Sequence, residues 1–123
     1  MNKHGKFILS WEVGLLVVKT IGPFNEEGTF AEVAKVKQFV LAKNIGTWSK
    51  LVIWDEETLG SPSAIKIVSE HQEWSKKSGC MNVASVVNNS LQESVAKRIY
   101  GNESRVFLLE SDARKWIASQ QNT

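Results

Sequence analysis

The chain has 123 residues, 42% apolar and 23% charged, which is the make-up of one ordinary globular domain able to bury a core without disulfides or metals. Its formal charge of +2 comes from 15 basic and 13 acidic residues mixed along the chain, so no basic stripe is offered to a nucleic-acid backbone. One cysteine and two histidines exclude an intrachain disulfide and a metal cluster of recognised spacing, no apolar run is long enough to span a membrane, and a reducing cytoplasm is the expected compartment.

The opening MNKHGKF lacks the apolar run of a secretory signal. The runs KFILSW and GLLVVKTIG are separated only by Glu12-Val13-Gly14, too little for a crossover, and predict an antiparallel hairpin that Gly22-Pro23 ends. From Asn25 the apolar period turns helical through Phe30, Val33, Ala34, Val40 and Leu41, up to Asn44-Ile45-Gly46. Two helix starts compete: Asn25 with Glu26 and Glu27 behind it, or the capping box Thr29-Phe30-Ala31-Glu32.

Leu51-Val52-Ile53-Trp54 is an unbroken apolar run, as expected of a strand covered on both faces. The acidic loop that follows leads to Ser61-Pro62, a cap and a first helical residue, and that helix ends at Lys76-Lys77-Ser78-Gly79. Met81 to Val87 reads as a strand, followed by Asn88-Asn89. Ser90-Leu91-Gln92-Glu93 reads as a capping box opening a helix that Gly101 ends. Arg105 to Leu109 is the last expected strand, and Ser111-Asp112 the cap of a final helix bearing Ala113, Trp116 and Ile117. The order β-β-α-β-α-β-α-β-α over residues 1–123 predicts a single α/β domain with a mixed, mostly parallel central sheet flanked by helices.

Few side chains suggest chemistry. Ser61 is accounted for by capping, whereas Ser63 has no capping duty and should face outward near the positive helix end. Asp55 and Glu56 stand where open α/β sheets bind ligands, but no third acid joins them to hold magnesium, so a solvated loop is expected. His71 shares the inward face of Ala64, Ile67, Val68 and Trp74, and Cys80 is expected to pack as a small hydrophobe. Neither belongs to a nucleophile–base arrangement, and no glycine-rich phosphate loop is present. The five tryptophans belong either to the core or to a cleft or contact patch.

This order of elements resembles the STAS fold, and within it the SpoIIAA-like, Sec14-related branch of small bacterial proteins. The resemblance is carried by Gly22-Pro23-Phe24-Asn25 before the first helix, LVIWD leading to a serine-bearing helix start, SLQESVAKRIYG, and RVFLLESDARKWI. In anti-sigma-factor antagonists of this fold, a partner kinase phosphorylates a serine at the start of the second helix, and the phosphate decides which protein is bound. The resemblance places that serine at Ser63, with Ser61 two residues before it. Ser61-Pro62 stands where the family has an aspartate, and Ala64 where it has a glycine. The implied protein is a non-catalytic regulatory module without cofactor. Its protein-binding surface would include Asn25, Trp54, Asp55, Glu56, Ser61, Ser63 and Asn88. The Sec14 kinship implies an alternative, a small carrier of an apolar or lipid-like molecule held between helices and sheet. Homodimerisation through exposed apolar helix surface is a further expectation.

Overall fold

The parallel pairing expected from alternating strands and helices holds in the computed structural model, which describes residues 3–101 and 104–121. The elements are β1 Lys6–Glu12, β2 Leu15–Ile21, α1 Glu26–Lys43, β3 Trp48–Trp54, α2 Pro62–Lys77, β4 Cys80–Val86, α3 Ser90–Tyr100, β5 Ser104–Phe107 and α4 Glu110–Gln121. The sheet order is β1-β2-β3-β4-β5, with β1 antiparallel to β2 and every other pair parallel. Alternation along the strands divides the core. Leu16, Val18, Val52 and Val83 face one cluster with Val36 of α1, Ala64 of α2 and Ala96 of α3. Leu15, Val17, Leu51, Ala84 and Val86 face the other, where α4 adds Ala113 and Ile117.

Several boundaries differ from the sequence expectation. β3 begins at Trp48, because Ser49 and Lys50 are buried strand residues that interrupt the apolar run before Leu51. β4 is shifted by one residue to Cys80–Val86. β5 stops at Phe107, and Leu108, 71% exposed, lies with Leu109 in the link to α4. α4 begins at Glu110, ahead of the expected Ser111-Asp112 cap.

The α1 cap is Asn25, whose side chain accepts from the Gly28 N–H at 2.8 Å. The rival capping box fails because Thr29 is already inside, its hydroxyl donating to the Asn25 carbonyl at 2.8 Å. Val33, Val36 and Val40 point inward, while Phe30, Ala34 and Leu41, expected on the same face, point outward. The α3 cap is Asn89, whose side chain accepts from Gln92 N–H at 2.8 Å, so Ser90 is simply the first helical residue.

Trp11 and Trp48, unplaced by sequence, meet edge to face at 5.9 Å under α1, and Trp48 Nε1 donates to the Ser78 carbonyl at 3.0 Å. The turn into β4 is equally tight. Gly79 has φ +108°, and a Cβ there would collide with the Gly46 carbonyl oxygen. Gly79→Ala is expected to cost about 2 kcal/mol or more, since a positive φ alone costs ~1–3 kcal/mol, as a lowered urea midpoint at unchanged slope would register.

Candidate functional site at the strand ends

β2 through β5 run parallel, so their carboxyl ends and the helix starts after them share one rim. Asp55 knits it together. Its Oδ2 accepts from the Gly22 N–H at 3.0 Å, across to the end of β2. Its Oδ1 accepts from the Glu57 N–H at 3.1 Å and sits 2.6 Å from Thr58 Oγ1. That hydroxyl also lies 3.0 Å from Thr20 Oγ1 and 3.0 Å from the Thr20 carbonyl, and has one proton to give. The acidic loop is therefore braced, where a freely solvated one was expected. With both oxygens engaged, Asp55 has little left to offer a cation, and among the described residues no group of His, Cys, Asp and Glu is placed to hold a metal.

Gln92 closes the network from α3. It is fully buried, and its Nε2 donates to the carbonyls of Asp55 at 2.8 Å and Thr58 at 3.0 Å. Its Oε1 accepts from the Asn88 backbone N–H at 2.9 Å and from Asn88 Nδ2 at 3.1 Å, which also donates to the Trp54 carbonyl at 2.9 Å. Every polar atom of this buried amide has a partner, the condition under which such a network orders a structure. Sequence reasoning passed over Gln92. The signal was its place one helical turn before Ala96 and two before Tyr100, on the buried face.

The other expected site residues fall around this frame. Asn25 is half-buried, its Oδ1 receiving the His4 and Gly28 N–H groups at 3.0 and 2.8 Å. Ser61 Oγ accepts from the Ala64 N–H at 3.2 Å, the helix cap read from sequence. Ser63 is exposed in the first turn of α2, and Glu56 and Asn88 are exposed beside the strand ends. Trp54 is 6% exposed, so its ring lies beneath the rim instead of on the surface. It lines a mostly apolar cavity of about 50 Å³ with Phe7, Phe24, Val52 and Ile99.

A second polar group went unseen in the sequence. Lys50, 2% exposed, lies on the three-helix face of β3, where Nζ donates to Gln72 Oε1 at 3.1 Å and Ser75 Oγ at 3.0 Å. Burial pushes its pKa down to about 8. His71 stacks on Trp74 and is held neutral, its pKa pushed to about 3 by burial and then by Lys50 and Lys37. Burial raises the Cys80 thiol, with Lys50 pulling the other way. The inward His71 and buried Cys80 agree with the sequence reading. Lys50 sits in the Trp48–Val52–Trp54 alternation, the only sign that a lysine would face inward.

No protein-family model matches the chain, and no curated protein does. Solved structures do. An uncharacterised protein from Shewanella loihica with a SpoIIAA-like fold superposes with a TM-score of 0.65 at 17% identity, covering 94% of this chain and 95% of that one. An anti-sigma factor antagonist from Mycobacterium paratuberculosis gives 0.62 at 12% identity, over 94% of this chain and 95% of its own. The Bacillus cell-fate determinant SpoIIAA in its phosphorylated form gives 0.54 at 16% identity, over 91% of this chain and 99% of its own. The chain has the SpoIIAA-like fold. No helix among the described residues is long and apolar enough to cross a membrane.

Lys50 yields a pH test. A fall from 10.5 to about 8 corresponds to roughly 3 kcal/mol against the charged form at neutral pH. Below about 8 the folded and unfolded chains both hold the proton and the penalty is complete. Between about 8 and 10.5 only the unfolded chain binds it, so this group makes stability rise with pH. Lys50→Met is expected to be more stable than the parent by about 1–2 kcal/mol at neutral pH, after the loss of the bonds to Gln72 and Ser75. That advantage should shrink across the same window, as paired urea titrations would show. Cys80 and Tyr100, both raised by burial, contribute the opposite slope, but they are present in both proteins and largely drop out of the difference.

Proposed function

We propose that the protein is a non-catalytic regulatory module that binds another protein through the strand-end rim, with Ser63 as the position that accepts a phosphate. The observation behind this reading is the exposure of Ser63 in the first turn of α2, just past the capping Ser61 and beside the braced loop. Backbone N–H groups and the helix dipole favour an anion there by about 0.3–1 kcal/mol. The exposed Glu56 and Glu57 oppose it, since like charges a few ångströms apart cost roughly 1–4 kcal/mol. Neither effect rivals a domain stability of roughly 5–15 kcal/mol. A phosphate on Ser63 would therefore alter the surface offered to a partner and leave the fold in place.

The rim also carries apolar side chains suited to a protein interface. Leu59, Leu91, Leu108 and Leu109 are exposed around the ends of β3, β4 and β5. The fold is shared with anti-sigma factor antagonists, one of them solved in a phosphorylated form. The carrier alternative has less support: the 50 Å³ cavity is a third of the ~150 Å³ that holds a benzene ring, so an acyl chain would require the helices to part. The outward stripe of Phe30, Ala34 and Leu41 on α1 favours a second copy as an additional partner.

Separating stability from binding tests the reading. Ser61→Ala is expected to lose about 1 kcal/mol as a removed cap, and Ser63→Ala to stay within about 0.5 kcal/mol as a surface change, both by urea denaturation. Protein purified from its own cells should carry phosphate on Ser63, and Ser63→Glu should change which protein co-purifies. An unmodified Ser63 together with identical co-purifying proteins for the parent and Ser63→Glu would contradict the reading.

A further inference from the structure

β1 lies at one edge of the sheet, with β2 as its neighbour strand. Its outward main chain is covered at Phe7. There the N–H donates to Glu32 Oε1 at 2.6 Å and the carbonyl accepts from Lys35 Nζ at 2.9 Å, so two α1 side chains stand in for a missing strand. These groups point away from β2, and strand alternation turns those of Leu9 and Trp11 the same way. Among the described residues, the main-chain groups of Leu9 and Trp11 have no such cover. The edge also lacks common guards against pairing: β1 is 7 residues long, its register with β2 is unbroken, and it holds no proline.

We infer that β1 is a self-association edge, on which a second copy of the chain pairs antiparallel about a two-fold axis at Leu9. The segment Lys6-Phe7-Ile8-Leu9-Ser10-Trp11-Glu12 complements its own reverse. In this register Lys6 faces Glu12 of the second copy, Phe7 faces Trp11, Ile8 faces Ser10, and Leu9 faces its own equivalent. A two-fold interface uses the same patch on both copies, so the Lys6–Glu12 pair forms at each end. Moving the axis to Ile8 or Ser10 separates those charges. Phe7, Leu9 and Trp11 would exchange main-chain hydrogen bonds with Trp11, Leu9 and Phe7 of the second copy. Glu32 and Lys35 release Phe7 as these bonds form.

The charges around the edge favour the same occupant. Arg114 lies 2.8 Å from both Glu12 and Glu110, one cation between two acids, so a negative charge is left over for the incoming Lys6. Lys6 is itself exposed, and Ile8 beside it is 45% exposed and would be covered by the second copy. On the α1 flank above the edge, Ala31 and Ala42 share helical register with Lys35 and are small enough to admit the second copy's helix. This interface is separate from the rim that carries Ser63 and from the Phe30, Ala34 and Leu41 stripe, and it stands or falls independently of both.

A charge swap in the full chain tests it. By sedimentation equilibrium the parent should dimerise reversibly. Lys6→Glu and Glu12→Lys should each weaken that dimer roughly 10-fold, as two cross-strand charge pairs turn from attractive to repulsive. Mixing the two variants restores opposite charges at both ends, so native mass spectrometry should show a one-to-one heterodimer tighter than either variant makes with itself. The Leu9 and Trp11 amides of the parent should gain exchange protection as concentration rises. Both substitutions are at exposed positions, and circular dichroism should show each variant folded. A parent that stays monomeric up to millimolar concentration would overturn the inference. So would single variants that dimerise like the parent, a mixture that fails to pair, or a dimer that only Phe30→Ser with Leu41→Ser dissolves.

Discussion

The rim depends on one carboxylate. Asp55 receives a backbone N–H from the end of β2 and another from its own loop, and holds the Thr58 hydroxyl. Hydrogen bonds to a charged group are worth roughly 1.5–3 kcal/mol each, enough to fix the short loop between β3 and α2. Gln92 meets the same loop from the opposite side through its carbonyls. Between them the strand ends and the start of α2 become one platform, and the position of Ser63 follows from that bracing.

The two buried polar groups of the three-helix face contrast with each other. Gln92 is neutral and satisfied at both ends of its amide, so its burial is compatible with a stable core. Lys50 is buried, and it is this burial that lowers its pKa, while its described hydrogen bonds go to the neutral Gln72 and Ser75 side chains. His71 and Cys80 respond to the same dry surroundings by remaining neutral. The polar interior thus has a stabilising end at the rim and a costly centre on β3.

Much of this architecture was legible in the sequence, because hydrophobic periodicity and helix caps are local signals. The hairpin, the Ser61-Pro62 helix start and the basic end of α2 all stand where expected. Expectation failed where tertiary packing overrode a local motif. Thr29 and Ser90 both sit in capping-box patterns, yet Asn25 and Asn89 cap, since Thr29 and Gln92 are drawn into the interior. Phe30 and Leu41 fit the helical period but lie on the outer face of α1. The site was legible only where its parts are close in the chain: Asp55 in the loop, the cap Ser61 and Ser63 in the first turn of α2 could be read together, whereas Gln92 and Lys50 act through contacts distant in sequence.

Amide hydrogen exchange at Gly22 and Glu57, the two backbone donors to Asp55, tests the bracing of the rim most directly. In the parent protein both amides should be protected, and in Asp55→Ala both should exchange much faster while Val52 and Ala84 in the sheet keep their protection. Rapid exchange at these amides in the parent, or protection unchanged by Asp55→Ala, would contradict the account.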